Sequence, residues 1–174
     1  MNYSKLICFD FDDTLCHTPL PEVGKEIWFE KTGTEWPHRG WWSKPESLDL
    51  DVFDIPVNKW VYQRYLEAVT DESAYLIMAT GRIEPLRKEV ENVLNYHNLS
   101  FDEVYLNFGG DTFGFKTRLF ENLIKKIQPK EFIMYDDRQE HLPKFEEWAL
   151  TQPCVVKIVD VVNKTEKTFN NEDI

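Results

Sequence analysis

The sequence predicts an α/β domain, a parallel sheet flanked by helices on both faces. Short apolar runs that suit buried strands alternate along the chain with segments whose apolar residues recur at helical spacing. Polar groups follow the ends of three of these runs, at the edge where open parallel sheets bind their ligands. At 174 residues the chain is long enough for one sizeable core and too short to expect two. We therefore expect a single three-layer, Rossmann-like domain over residues 1–174.

Five apolar runs are the predicted strands. They are short, rich in aliphatic and aromatic residues, and bounded by polar or turn-forming residues, which is typical of strands buried in a parallel sheet. In chain order they are Lys5–Phe9, Tyr75–Ala79, Glu103–Phe108, Glu131–Tyr135 and Cys154–Val162. The polar tail over residues 163–174 is expected to form a short hairpin arm or to lack fixed structure.

Four helices are predicted between these strands. Apolar residues fall on one face after Val57, after Pro85, after Lys116 and around Phe145. Pro85 lies near the first turn of the second helix, where proline is tolerated. His97 lies on the apolar stripe of the same helix, and we interpret it as a core or boundary residue rather than a ligand.

Residues 16–56 interrupt this alternation directly after the first strand. They hold five of the nine prolines and four of the six tryptophans, with little clean periodicity. Segments of this length inside a compact domain are usually lids or binding elements, so we expect a small cap or flap. Trp41 and the aromatic residues around it lie beside His38 and Arg39, and they could stack on a base or close a pocket. They could equally anchor an irregular loop onto the core.

The end of the first strand is where the sequence most clearly indicates chemistry. Asp10, Asp12 and Asp13 follow the apolar run, and Thr14 comes next. On an extended chain Asp10 and Asp12 point to one side and Asp13 to the other. Buried carboxylates need a cation or a metal ion beside them, and hard cations prefer such oxygen ligands. The pattern indicates a metal site with an attacking oxygen, and an acidic turn is the alternative.

The composition restricts the classes of partner. The formal net charge of −11 argues against a broad nonspecific nucleic-acid surface, which needs clustered Lys and Arg. A local pocket for a nucleotide or for one end of a strand stays open. Three cysteines without CxxC spacing indicate free thiols in a reducing compartment, and the apolar runs are too short to cross a membrane. We therefore expect a cytoplasmic protein without a membrane partner.

Four separated motifs together resemble those of the haloacid dehalogenase (HAD) superfamily. In chain order they are Asp10-Phe11-Asp12-Asp13-Thr14, Thr80, Lys116 and Asp136-Asp137. A closer resemblance, to the HAD domain of Swiss Army Knife RNA repair proteins, is carried by Gly40-Trp41-Trp42, Ala79-Thr80-Gly81-Arg82, Phe101-Asp102 and Tyr135-Asp136-Asp137-Arg138-Gln139-Glu140-His141. In that family the acidic pair is often Glu-Asp, so Asp136 is a conservative departure. The resemblance implies a HAD-like sheet with residues 16–56 in the position of a small cap.

The resemblance further implies a Mg²⁺-dependent phosphatase that acts through an aspartyl-phosphate. Asp10 would attack phosphorus, and Asp12 would protonate the leaving oxygen and then activate water. The metal ligands would be Asp10, Asp12 through its backbone carbonyl, Asp136 and Asp137. The phosphate-binding residues would be Thr80, Gly81 and Lys116. The residues that contact substrate would be Arg82, Arg138, His141 and Trp41.

Several alternatives stay open at this point. The two arginines and His141 could pair with neighbouring carboxylates instead of binding substrate. The RNA-repair resemblance favours a nucleotide or the phosphorylated end of an RNA or DNA strand as substrate, whereas the net charge favours a small phosphorylated metabolite. A phospho-receiver domain uses similar groups in a different chain order, with the acidic pair first, and a silent binding module is disfavoured because every catalytic position is intact. The sequence does not indicate an oligomeric state.

Overall fold

A computed structural model describes residues 3–170 and contains a six-stranded sheet with helices packed on both faces. The strands are β1 (Lys5–Phe9), β2 (Ala74–Ile83), β3 (Glu103–Asn107), β4 (Glu131–Asp136), β5 (Val155–Asp160) and β6 (Thr165–Phe169). Their order across the sheet is β3-β2-β1-β4-β5-β6, with β1 to β5 parallel and β6 antiparallel to β5. The predicted α/β fold with a parallel sheet is confirmed.

Five α-helices connect the strands or lie between them. They are α1 (Pro21–Thr32), α2 (Lys59–Val69), α3 (Arg87–Tyr96), α4 (Thr112–Ile127) and α5 (Leu142–Ala149). Two short 3₁₀ helices span Pro45–Leu48 and Glu84–Leu86. The helix predicted around Lys116 begins four residues earlier, because Asp111 caps it by accepting a hydrogen bond from the backbone N–H of Gly114.

The strand order places a topological switch point between β1 and β4. From β1 the chain builds β2 and β3 to one side and then crosses to build β4, β5 and β6 on the other. Phe9 pairs with Tyr135, and the backbone N–H of Asp10 donates to the carbonyl of Tyr135 at 3.0 Å. The first residues after β1 therefore lie beside the end of β4. In open α/β sheets this crevice is where ligands bind.

The core consists of two apolar layers, one on each face of the sheet. β1 contributes to both, with Ile7 and Phe9 in one layer and Leu6 and Cys8 in the other. Helices α2 and α3 pack in the first layer, and α4 and α5 pack in the second. A strand that buries residues on both faces needs the continuous apolar run from which β1 was predicted.

Residues 16–56 contain a helix that the periodicity did not predict. Its start and end signals are nevertheless in the sequence, with Pro21 in the first turn and Gly33 as a left-handed C-cap at φ 73°. Its amphipathic pattern is weak because Gly24 is its one buried residue. The indole of Trp41 lies against Gly24, where an added Cβ would come within 2.1 Å of the ring.

The two ends of the 16–56 segment meet. Cys16 pairs with Val57 in an antiparallel bridge, and the N–H of His17 donates to the carbonyl of Pro56. Between these ends Trp41, Leu48, Phe53 and Ile55 are buried in the first apolar layer. The segment is therefore tied at its base and packed on the core along its length.

The remaining sequence predictions concern the C-terminal tail, His97, the cysteines and membrane-spanning helices. The polar tail forms β6 within a hairpin, and residues 171–174 lie outside the described range. His97 follows α3 and its ring Nε2 lies 2.6 Å from the carbonyl oxygen of Ile55, so it is a boundary residue bonded to the backbone. The three cysteines are unpaired and buried. Within residues 3–170, no helix combines the length and the apolar character needed to span a membrane.

Candidate active site

A cavity of about 470 Å³ opens at the carboxyl ends of β1 and β4. It lies at the switch point and is lined by catalytic candidates from elements far apart in the chain, among them Asp10, Asp12, Arg82, Lys116, Asp136 and Asp137. Leu20 and Trp42 of the 16–56 segment form part of its wall. Its volume falls in the range of about 300–1,000 Å³ that is usual for small-molecule sites.

A buried lysine lies between two carboxylates on the floor of the cavity. Lys116 is 3 % exposed, and its Nζ donates to Asp10 Oδ1 at 2.8 Å and to Asp136 Oδ2 at 2.7 Å. Burial alone would lower the pKa of Lys116, but the negative charges of Asp10 and Asp136 outweigh it and raise that pKa above its ordinary value. Lys116 is therefore a fixed positive charge. It is buried although it lies near the start of a helix.

Three carboxylates converge around this lysine. Asp10, Asp136 and Asp137 each place one oxygen so that all three oxygens lie within 4.8 Å of one another. Burial raises the pKa of Asp10 well above its ordinary value, against the opposing charge of Lys116. Burial and then the charge of Asp136 also raise the pKa of Asp137. One ammonium does not neutralise three ionised carboxylates, so ionisation of all three would leave the cluster with an excess of negative charge.

The cluster has the donor set of a site for a hard cation. Its carboxylate oxygens lie at the ends of two adjacent strands, and hard divalent cations such as Mg²⁺ are bound by oxygen ligands of this kind. Thr14 Oγ1 lies 3.3 Å from Asp10 Oδ2 and 3.2 Å from Asp137 Oδ1, so this hydroxyl contacts two members of the cluster.

Magnesium should stabilise the protein more at neutral than at acidic pH. The raised pKa values of Asp10 and Asp137 mean that the metal-free fold loses stability as pH rises through them, while protons compete with the ion below them. At about 100 times its dissociation constant the ion should add about 2.7 kcal/mol. The measurement is the difference in unfolding temperature between magnesium and EDTA at about pH 7.5 and about pH 5.5.

Two variants make that measurement specific. Asp137→Asn should reduce the stabilisation by magnesium, because it removes one ligand of the cluster. Asp51→Asn changes an exposed aspartate in the same way and should leave it unchanged. An equal magnesium effect at both pH values, or in both variants, would contradict a metal site at this cluster.

The Asp12 side chain lines the same cavity but is not part of this carboxylate cluster. The chain leaves the extended conformation after β1, and Asp13 takes a left-handed φ of 55°. Asp12 Oδ1 accepts from Arg82 Nη2 at 2.8 Å and from Thr18 Oγ1 at 2.7 Å, and Arg82 Nε lies 3.1 Å from Oδ2. The expectation that Asp10 and Asp12 share a side came from an extended geometry that these residues do not keep. The backbone carbonyl of Asp12 stays the predicted ligand.

The two predicted phosphate-binding residues of β2, Thr80 and Gly81, differ in their position relative to the cavity. Thr80 is fully buried, and its Oγ1 accepts from the backbone N–H of Arg82 at 3.1 Å. Gly81 lines the cavity and lies against Thr112, whose Oγ1 would be 2.5 Å from a Cβ at position 81. Thr112 also lines the cavity. It precedes Lys116 by one helical turn on the same face of α4, a spacing that would have identified it from the sequence.

The predicted substrate-contacting residues also differ in how they relate to the cavity. Arg138 lines the cavity and is only loosely paired, its Nε lying 3.7 Å from Glu140. His141 precedes α5 and packs with the rings of Phe113 and Phe145, and burial followed by the charge of Arg138 lowers its pKa.

Of the two adjacent tryptophans, the structure places the second at the cavity. Trp41 is 4 % exposed, and its Nε1 donates to the carbonyl of Pro19 at 3.0 Å, so it anchors the segment. Trp42 is 42 % exposed and lines the cavity, with the guanidinium carbon of Arg82 5.0 Å from its ring centroid. The anchoring suggested for this aromatic stretch is therefore seen at Trp41, and Trp42 is the tryptophan whose ring is open to the cavity.

Comparison with known proteins shows the family to which the chain is similar. The family model described as HAD domain family 1 in Swiss Army Knife RNA repair proteins matches residues 28–171, which is most of the chain. No curated protein and no solved structure matches it. The matched range contains Thr80, Lys116 and the Asp136-Asp137 pair but begins after Asp10 and Asp12. The structure brings Asp10 to within hydrogen-bond distance of Lys116 inside that range.

Proposed function

The chain belongs to HAD domain family 1 of Swiss Army Knife RNA repair proteins, and on that basis we propose that it is a Mg²⁺-dependent phosphomonoesterase. The proposed substrate is a nucleotide or the phosphorylated end of a nucleic-acid strand. One observation carries the proposal, the convergence of Asp10, Lys116, Asp136 and Asp137 at the switch point. Membership of a HAD family supports a phosphatase-type activity, and this cluster has the groups that such an activity needs.

In the proposed reaction Asp10 is the nucleophile. One of its carboxylate oxygens attacks phosphorus, the bond from phosphorus to the leaving oxygen breaks, and an aspartyl-phosphate forms. Asp12 gives a proton to the leaving oxygen and later takes one from the water that attacks the intermediate. That attack releases inorganic phosphate and restores Asp10. The burial of Asp10 supports this role, because a nucleophile screened from bulk water keeps fewer solvent hydrogen bonds to break.

The other groups supply charge and position. Bound at Asp10, Asp136 and Asp137, Mg²⁺ would neutralise charge on the phosphoryl oxygens. Lys116 provides a fixed positive charge beside Asp10 for the same oxygens. Gly81 lets the Thr112 side chain approach the β2 backbone closely, and we propose that both residues take part in phosphate binding. Thr80 stays a predicted phosphate-binding residue whose hydroxyl is turned toward the backbone of β2.

We propose that residues 16–56 act as a cap and that Trp42 selects the substrate. The segment brings Leu20 and an exposed indole face to the wall of the cavity, above the reacting groups. An exposed indole is a platform on which a nucleobase can stack. Arg138 at the rim carries a positive charge that suits a neighbouring phosphate. The three buried, unpaired cysteines fit a reducing, cytoplasmic location, which we include in the proposal.

The substrate class can be tested by comparing phosphate release from three groups of compounds. These are 3′-phosphorylated oligonucleotides, nucleoside monophosphates and sugar phosphates without a base. We expect kcat/KM to be highest for the first or second group, because base stacking on Trp42 adds binding energy that a sugar phosphate lacks. Higher activity on sugar phosphates would instead favour a small-metabolite phosphatase, for which the net charge of −11 argues.

Trp42→Ala should lower kcat/KM for nucleotides by about ten-fold, since one stacked base contributes on the order of 1–3 kcal/mol. Sugar phosphates should lose no more than about two-fold, because they have no base to stack. Tyr96→Ala is the matched control, an aromatic residue 68 % exposed that is not part of the cavity wall. Equal losses for both substrate classes would show that Trp42 does not recognise a base.

A further inference from the structure

We propose that Arg82 is a positioning residue that makes proton transfer by Asp12 depend on the docking of the 16–56 segment. The proposal rests on the phosphatase function above. Its basis is a single buried guanidinium, 3 % exposed, that bonds Asp12 with one edge and the 16–56 segment with the other. It concerns a side chain expected from the sequence either to bind substrate or to pair with a carboxylate.

Every nitrogen of the guanidinium is engaged. Nε and Nη2 donate to the carboxylate of Asp12, at 3.1 Å to Oδ2 and 2.8 Å to Oδ1. Nη1 donates to Ser47 Oγ at 2.7 Å and to the carbonyl of Trp42 at 3.0 Å. A planar fork that holds a carboxylate from two nitrogens fixes its orientation as well as its distance. Arg82 therefore orients Asp12 and has no nitrogen left without a protein partner.

The acceptors on the other edge belong to the segment that we propose as a cap. Ser47 is fully buried in the 3₁₀ helix Pro45–Leu48, and its hydroxyl donates to the carbonyl of Lys44 while it accepts from Arg82. Trp42 contributes its carbonyl and lies with its ring beside the same guanidinium. If the segment moved away, Nη1 would lose both acceptors, and this edge of the guanidinium would face water instead. Arg82 would then be held by Asp12 alone and free to change its side-chain conformation, so it would no longer fix the orientation of Asp12.

An irregularity in the pairing of β2 with β3 leaves Arg82 free to contact Asp12. The pairing with β3 jumps from Thr80–Leu106 to Ile83–Asn107, so that Gly81 and Arg82 have no partners on β3. The Thr80 hydroxyl accepts the N–H of Arg82 and stabilises this geometry. Irregularities of this kind redirect side chains next to active sites. Thr80 thus stabilises the backbone conformation from which Arg82 reaches Asp12.

The chemical consequence depends on the leaving group. An alcohol such as the sugar hydroxyl of a nucleotide leaves poorly unless Asp12 protonates it. p-Nitrophenolate is a stable anion and needs no proton. A variant that only misplaces Asp12 should therefore slow the first step for nucleoside phosphates and leave the first step for p-nitrophenyl phosphate nearly intact. A variant that distorts the whole site should slow both alike.

The test compares Arg82→Lys and Ser47→Ala in the full chain with saturating magnesium. For Arg82→Lys we expect kcat for a nucleoside 3′-phosphate to fall by about 100-fold with little change in KM, since positioned proton transfer contributes about 10²–10⁴-fold. The first-turnover release of p-nitrophenolate should fall by less than about five-fold. Ser47→Ala removes one acceptor and should give about a five-fold loss with the same preference between substrates.

Arg87→Lys is the matched control. Arg87 also bonds a carboxylate from two nitrogens, that of Glu84, together with the carbonyl of Val104, but it does not line the cavity. Both substrates should react with the Arg87→Lys variant at nearly the wild-type rate. If the wild type is active but Arg82→Lys and Ser47→Ala lower the rates for both substrates in the same proportion, this proposal is wrong. The proposed phosphatase function would still stand. A wild type that releases phosphate from no substrate would overturn the proposed function and this proposal with it.

Discussion

Asp10→Asn should reduce phosphate release by at least about 10⁴-fold, because an amide cannot attack phosphorus as a carboxylate does. The side chain keeps its shape, so the loss should come from chemistry and not from unfolding. Lys116 keeps its second partner, Asp136, at 2.7 Å. Removing one of three crowded carboxylates should leave the metal-free variant at least as stable as the wild type. Steady-state phosphate release and thermal unfolding in EDTA measure the two expectations.

Asp13→Asn provides the matched control from the same motif. Asp13 has a left-handed φ of 55°, which Asn tolerates well, and its nearest charged partner is His17 at 3.6 Å. Asp13 lines the cavity, but its side-chain ion pair is with His17 and not with the catalytic cluster, so the variant should lose no more than about three-fold in turnover. Substantial residual turnover in Asp10→Asn, or equal losses in both variants, would refute Asp10 as the nucleophile.

Lys116→Met should both destabilise the metal-free protein and nearly abolish turnover. Methionine keeps the length of the stem but removes the charge that faces Asp10 and Asp136. Breaking a buried ion pair from one side costs about 3–5 kcal/mol, which denaturant unfolding in EDTA would measure. Loss of the positive charge beside the transferring phosphoryl group should lower kcat by at least about 10³-fold.

Magnesium should restore part of the stability of Lys116→Met and little of its activity. The ion supplies positive charge to the same carboxylates, but it does not replace the ammonium between Asp10 and Asp136. Lys125→Met, an exposed lysine on the same helix, should change the free energy of unfolding by less than about 1 kcal/mol. A Lys116→Met variant as stable as the wild type in EDTA would mean that the carboxylates do not depend on this charge.

The positions of Asp10 and Asp136 could be anticipated from the sequence because each lies at the end of a predicted strand. Parallel strands end at one edge of the sheet, so residues at the ends of adjacent strands meet there. Lys116 is expected at the same place only from the resemblance to the HAD superfamily. The apolar stripe of α4 does not by itself show that this lysine faces Asp10 and Asp136.

The directions of Asp12, Arg82 and Trp42 could not be anticipated because each lies on irregular backbone. Asp12 precedes a left-handed residue, and Arg82 lies in the irregular part of β2. Which of two adjacent tryptophans faces the cavity is decided by Gly24, on which the indole of Trp41 packs. Such contacts join segments that share no residue periodicity, so no pattern along the sequence predicts them.

Because Cys16 and Val57 hold the base of the 16–56 segment together, its exposed stretch at residues 33–35 can change in length without moving the catalytic edge. For a flexible loop whose ends are already joined, doubling the number of residues costs only about 0.6 kcal/mol in chain entropy. The inner part of the segment is not free in this way, because Trp42 and Ser47 bond Arg82. Insertions in the exposed stretch should therefore leave Asp10, Lys116 and Asp136 in register.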